Sequence, residues 1–149
     1  MIKDRLLYGD DEMVARFVQS LVPNINRGFG QCSAIGVLNK EETKLIAGVV
    51  YSSYQPELGT IQLSIASKSK MWAHRDIIKR LLDYPFYQLN CFKLWTSTSI
   101  RNKITLKTIE HIGFRREAVL AHQLGRKHHA VICRLLRPEF IKLYEDSNG

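Results

Sequence analysis

The residues best equipped for chemistry are six basic side chains crowded between positions 68 and 80: Lys68, Lys70, His74, Arg75, Lys79 and Arg80. An amphipathic stretch begins among them, with Ile77, Ile78, Leu81, Leu82 and Phe86 on one stripe. Cations gathered at the start of a helix add to the partial positive charge of its unpaired N–H groups. That combination favours a bound anion, phosphate above all. Asn102 opens a helical pattern over 102–112 that Gly113 closes. Tyr51, Ser64, Ser97, Ser99 and His122 have side chains able to move a proton, and spacing privileges none of them. His111, His128 and His129 lack a third convergent ligand and read as surface or strand-edge histidines rather than a metal site. Cys32, Cys91 and Cys133 are odd in number and widely spaced, with no Cys-x-x-Cys pair. They read as buried, reduced thiols of a cytosolic protein.

The body that carries these residues is ordinary. The chain has 149 residues, 45% of them hydrophobic, which is enough for one domain with its own core. Lys and Arg number 22 against 14 Asp and Glu, a net charge of +8. Charged residues make up an average 24%, so the excess sits on a folded body rather than a disordered tail. Such a surface suits a polyanion: nucleic acid, a phosphorylated cofactor or an acidic protein. The longest strongly apolar run, Leu45 to Tyr51, falls far short of the ~18 residues of a membrane helix. Asp4, Asp10, Asp11 and Glu12 stand where a signal peptide needs its apolar stretch. A cytoplasmic protein without a membrane span is the expectation.

The elements that position the candidates follow from periodicity and turn chemistry. A short strand is expected over Asp4–Tyr8. Then comes a helix with Met13, Phe17, Val18 and Leu21 on one face, ended by Pro23 and a loop at 24–31. Three strands should follow at Ser33–Leu38, Leu45–Ser52 and Thr60–Ala66, joined by turns at 39–42 and 55–59. A helix at Trp72–Tyr87, a strand at Lys93–Ser99 and a helix at Asn102–Ile112 come next. The last is expected to turn Ile104, Leu106 and Ile109 inward. Strands at Ala118–Leu124 and His129–Leu136, joined by the basic turn Gly125–Lys127, complete the order. Residues 142–149 read as a frayed tail on a single domain spanning 1–149.

That order, taken with the run from Trp95 through Asn102 to Gly113, Phe114 and Glu117, resembles the GNAT superfamily of acyl-CoA-dependent N-acetyltransferases. The segments Lys70–Arg75, Asp83–Leu89 and Leu45–Tyr51 resemble a divergent subgroup carried by bacteriophages and prophages. The resemblance covers about residues 32–136. It implies an α/β (α+β) domain: a mixed, mainly antiparallel sheet flanked by helices. A V-shaped cleft would lie between the fourth and fifth strands, at 60–66 and 93–99.

It also implies acetyl-CoA as acyl donor, an amine acceptor, and direct attack in a ternary complex. The implied cofactor-binding residues are Ile65, Ala66, Ser67, Lys70, Trp72, Ala73, His74, Arg75 and Asn102. Trp72 stands as either an adenine-stacking or a packing residue. The family's pyrophosphate loop ends in glycines, and its positions fall here on Lys70, Ala73 and Arg75. Either side-chain charge takes over the phosphate, or the site no longer binds it. The usual general-base carboxylate falls at Gln62 and the usual tyrosine near Ile109, so the catalytic residues are left unassigned. The alternative is a domain that has lost catalysis. It would bind a host protein or nucleic acid in the host cytoplasm through basic residues such as Arg115, Arg116, Arg126 and Lys127.

Overall fold

The structure, a computed structural model, describes residues 2–22, 28–69 and 72–145. Pro23 and the loop positions 24–27, together with Lys70 and residues 146–149, lie outside the described residues. The chain forms two compact units, Met1–Ser53 with Leu63–Tyr84, and Tyr54–Gln62 with Pro85–Gly149.

In the first unit, the expected opening strand reverses on itself. Strands β1 (Ile2–Lys3) and β2 (Leu6–Leu7) pair antiparallel across Asp4 and Arg5, whose φ values are 51° and 71°. Two left-handed residues make the tight turn whose twist matches a hairpin. Helix α1 (Asp11–Leu21) buries Val14 and Val18, while Met13, expected inward, is 44% exposed. The reason lies in two glycines. Gly36 of β3 (Cys32–Leu38) sits opposite Gly48 of β4 (Leu45–Gln55). A Cβ on Gly48 would lie 2.9 Å from Val18 Cγ2 and 3.0 Å from Val14 Cγ1. The bare backbone of this pair lets α1 seat its valines directly on the sheet.

Strand β5 (Thr60–Ser67) neighbours β4, and Lys68 N–H donates to Ile46 O at 2.8 Å. Helix α2 (Arg75–Asp83) buries Ile77, Ile78, Leu81 and Leu82, as its stripe predicts. The single helix expected over 72–87 does not form. Its C-terminal part is a π-helical turn, Tyr84–Gln88. Pro85 has no N–H to offer the Leu81 carbonyl, so the α-helical pattern cannot continue through it.

In the second unit, Thr60–Gln62 of β5 pairs parallel with Lys93–Trp95 of β6 (Lys93–Ser99). β6 pairs antiparallel with β8 (Ala130–Leu136), and β8 with the outer strand β7 (Arg115–Leu120). The strand order is β1-β2-β3-β4-β5 in the first unit and β5-β6-β8-β7 in the second, β5 being common to both. This is the expected mixed, mainly antiparallel sheet flanked by helices. Its parallel contact spans three residue pairs, from Thr60 and Lys93 to Gln62 and Trp95.

Helix α3 (Lys103–Ile112) turns Leu106, Ile109 and Ile112 inward. Ile104, two residues from Leu106 and therefore on the opposite face, is 73% exposed against the expectation. Gly113 ends the helix at φ 125°, as its position predicts. Helix α4 (Arg137–Tyr144) was not expected. It takes in residues 142–144 of the supposed tail, anchored by Phe140 stacked on Phe86 at 4.7 Å. Strand β7 begins and ends earlier than predicted, because His122 adopts φ 57° and turns the chain.

Candidate functional site

The end of β5 and the start of α2 carry most of the predicted site. Ile65 is half-buried, and Ala66 is buried in the cluster of Leu7, Val14, Val18, Ala34, Leu38 and Val50. Ser67 is exposed. Ala73 is half-buried, while His74 and Arg75 are exposed at the mouth of α2. His74 has extended backbone (φ −78°, ψ 144°), and its side chain makes no capping bond. The first helical bond runs from Ile78 N–H to His74 O at 2.9 Å. The N–H groups of Arg75, Asp76 and Ile77 therefore precede the first α-helical donor, Ile78, as at any helix start. They present partial positive charge beside an exposed imidazole and an exposed guanidinium. Asp76 sits in the same turn and offsets part of that field.

The rest of the basic cluster does not converge there. Lys68 Nζ lies 5.3 Å from the centre of the Phe17 ring, drawn toward α1. Lys79 pairs with Asp83 at 3.1 Å, and Arg80 with Asp4 at 2.8 Å. Trp72 is 2% exposed. Its indole is core packing, and the adenine-stacking reading is overturned. What Trp72 supplies is an anchored lead-in to α2, its carbonyl taking the His74 N–H at 2.9 Å.

Asn102 has a structural task of its own. Its Oδ1 accepts the Thr105 N–H at 3.2 Å and caps α3. Glu117 falls at the register shift between Arg116 and Ala118 and pairs with Lys93 at 3.0 Å.

Among the proton-transfer candidates, Tyr51 is removed outright. It is fully buried, its hydroxyl donates to Leu81 O at 2.6 Å, and burial pushes its ionisation far up. Ser64, Ser97 and Ser99 are half-buried, and Ser99 Oγ accepts the Arg101 N–H at 3.3 Å. His122 is exposed. Gln62 and Ile109, where the resemblance led one to look for a base and an acid, have side chains that cannot titrate.

The structure adds a pair the sequence did not show. Tyr84 Oη lies 3.0 Å from Ser33 Oγ, and its ring meets Tyr51 edge-on at 4.9 Å. No local spacing relates residues 33, 51 and 84; only the sheet and the end of α2 bring them together. The thiols of Cys91 and Cys133 are raised chiefly by burial, and that of Cys32 by burial and then Asp11, so none is an activated nucleophile.

The first unit also holds a cavity of about 370 Å³, lined by Asp11, Glu12, Arg16, Gln19, Phe29 and Cys32 among others. Asp11 Oδ1 accepts the Ala34 N–H there at 3.0 Å. The loop expected at 24–31 contributes Gly28, Phe29 and Gly30 to it.

The arginines on the strands of the basic C-terminal hairpin are ion-paired. Arg115 pairs with Glu139 at 3.2 Å, Arg116 with Glu110 at 2.5 Å, and Arg134 reaches Glu139 at 3.6 Å and Glu117 at 3.8 Å. No helix among the described residues is long and apolar enough to cross a membrane.

Solved structures share this architecture across nearly the whole chain. A chimera of the spermidine N-acetyltransferase SpeG of Vibrio cholerae with hSSAT (K23-Y30) superposes with a TM-score of 0.72 at 18% identity, covering 93% of this chain and 99% of that one. The chain has an acetyltransferase fold. The N152L mutant of the Vibrio cholerae enzyme gives a TM-score of 0.70 at 18% identity over 95% and 99% of the two chains. The K23-Q34 chimera gives 0.65 at 22% identity over 76% and 74%. No protein-family model and no curated protein matches the chain in sequence. The fold is thus recognisable in space at 18% to 22% identity.

Proposed function

We propose that this protein is an acetyl-CoA-dependent N-acetyltransferase, with residues 1–149 as one acyltransferase domain. The observation that carries the reading is the acetyltransferase fold with its parallel β5–β6 contact of three residue pairs. The segments at 45–51, 70–75 and 83–89 support a place in the phage-borne branch of that superfamily. A host cytoplasm would then be its setting.

The residues at the start of α2 fit a pyrophosphate. The first-turn N–H groups supply donors and the positive end of the helix dipole. Exposed Arg75 supplies side-chain charge, and exposed His74 a ring N–H, where the missing glycine loop would have left the contact to the backbone. Ile65, Ala66 and Ser67 lie on the strand along which a pantetheine arm would run. Bound acetyl-CoA supplies the thioester, and an amine of the acceptor attacks its carbonyl carbon directly. Binding both partners converts a bimolecular encounter into a positioned one, which is the main source of rate where acid–base help is thin.

The absence of a carboxylate at Gln62 favours an acceptor that needs little help losing its proton. An α-amine, with a pKa of ~8 against ~10.4 for lysine, is such a group. The spermidine acetylated by SpeG-type neighbours is the other acceptor class to try.

The test is release of the CoA thiol from acetyl-CoA in the presence of peptides with free α-amines, lysine-containing N-blocked peptides, and spermidine. Amine-dependent thiol release supports the reading, and its absence with every amine contradicts it. The chain would then be a fold that has given up catalysis for binding a host protein or nucleic acid.

A further inference from the structure

We propose that the β7–β8 loop is closed by a histidine latch that opens when His129 takes up a proton. The loop spans residues 121–129 between β7 and β8. Two imidazoles meet across its base, with ring centres 4.7 Å apart at 65°. The backbone N–H of His122 donates to His129 Nδ1 at 2.9 Å. An imidazole nitrogen that accepts a hydrogen bond carries no proton, so neutral His129 holds its hydrogen on Nε2. His122 has the other tautomer. Its Nδ1 faces the Arg126 carbonyl, which can only accept, so the hydrogen of His122 is on Nδ1.

The two histidines therefore respond differently to acid. Protonation of His122 occurs at Nε2 and leaves its Nδ1–H on Arg126 O. Protonation of His129 occurs at Nδ1, the atom that holds the loop shut, and turns an acceptor into a donor facing another donor. That exchange costs the bond and adds a repulsion.

Charge acts in the same direction. The loop carries Arg126, Lys127, His122, His128 and His129, and no acid. The turn packed against it, through the Ile100 N–H bond to His129 O at 3.0 Å, contributes Arg101 and no acid. Each proton gained makes a wholly cationic segment less willing to stay folded on itself.

Within the loop the bonds Leu124 N–H to His128 O (3.0 Å) and His128 N–H to Gly125 O (3.0 Å) do not involve an imidazole. The opening is accordingly local. His122 comes away from His129 while the tip keeps its turn.

The experiment is amide and imidazole NMR on the full chain, acidified until every imidazole of the loop has taken up its proton. The expected result has two parts. Protection of the His122 amide is lost with the midpoint of the His129 ring, not of the His122 or His128 ring. The Leu124 and His128 amides keep theirs. His129→Asn places a carbonyl oxygen near the position of Nδ1 and cannot titrate, so its His122 amide stays protected throughout. His128→Asn leaves the transition as it is in the unaltered chain. A His122 amide that keeps its protection below the His129 midpoint overturns the latch. So does a transition that survives in His129→Asn.

Discussion

The hydroxyl of Tyr51 donates to the main-chain carbonyl of Leu81 at 2.6 Å, deep in the first unit. In a continuing α-helix that carbonyl would take an N–H from position 85, where the chain has proline. Tyr51 thus satisfies a polar group that the sequence leaves open, and the same bond takes it out of acid–base chemistry. Replacing Tyr51 by Phe should lower stability by about 1–3 kcal/mol, the cost of stranding a buried acceptor. A denaturant titration reads it. The pH profile of any acetyl transfer should be unchanged, and a lost limb in that profile would return Tyr51 to the mechanism.

Gly48 is the tightest point of the α1 interface. Gly48→Ala would push a methyl against Val14 and Val18, at 3.0 Å and 2.9 Å. Overpacking of this kind costs about 1–3 kcal/mol. Val14→Ala leaves a cavity when made alone, but should cost much less in the Gly48→Ala background, where it makes room. A double-mutant cycle on the unfolding midpoint measures that coupling. Additive effects would mean that α1 does not rest on the glycine pair.

Asn102 should behave as a helix cap. Asn102→Ala should cost about 1 kcal/mol of stability, with Asn102→Asp close to the parent chain. Thermal unfolding without any ligand separates the cap from a cofactor contact, because only the cap is felt there.

The buried thiols set an alkaline limit. Cys32, Cys91 and Cys133 have thiols raised above the ordinary 9.0, and Tyr51 lies well above 10.0. Folding holds these groups protonated, so the native chain binds more protons than the unfolded one once pH exceeds 9. The stability they support is complete below that pH and is lost as pH rises toward the folded values. Unfolding midpoints should therefore fall steadily above pH 9. In the native state a thiol reagent should modify half-buried Cys32 first, with Cys91 and Cys133 reacting only on unfolding.

Strand positions and helix stripes were legible because they depend on local periodicity. Ile77, Ile78, Leu81 and Leu82 read as one buried face and are one. Errors arose where a neighbour outvoted the pattern. Met13 is apolar and at helical spacing, yet the Gly36–Gly48 pair draws in Val14 instead. The helix at 72–87 breaks because proline withholds a single N–H. Trp72 was ambiguous by type, and only its burial decides between packing and stacking. The basic cluster was legible as a cluster, but not its partition. Asp4, Asp83 and the Phe17 ring claim Arg80, Lys79 and Lys68, and these partners come from the opening hairpin, α1 and α2's own C-terminal turn. His74 and Arg75 are exposed at the mouth of α2.

Isothermal calorimetry with acetyl-CoA tests the acyltransferase account most directly, using the unaltered chain beside Arg75→Glu. The account predicts micromolar binding to the unaltered chain and a severe loss in the variant, where a carboxylate replaces the guanidinium at the start of α2. No heat of binding at millimolar acetyl-CoA, or equal binding by both proteins, would contradict it.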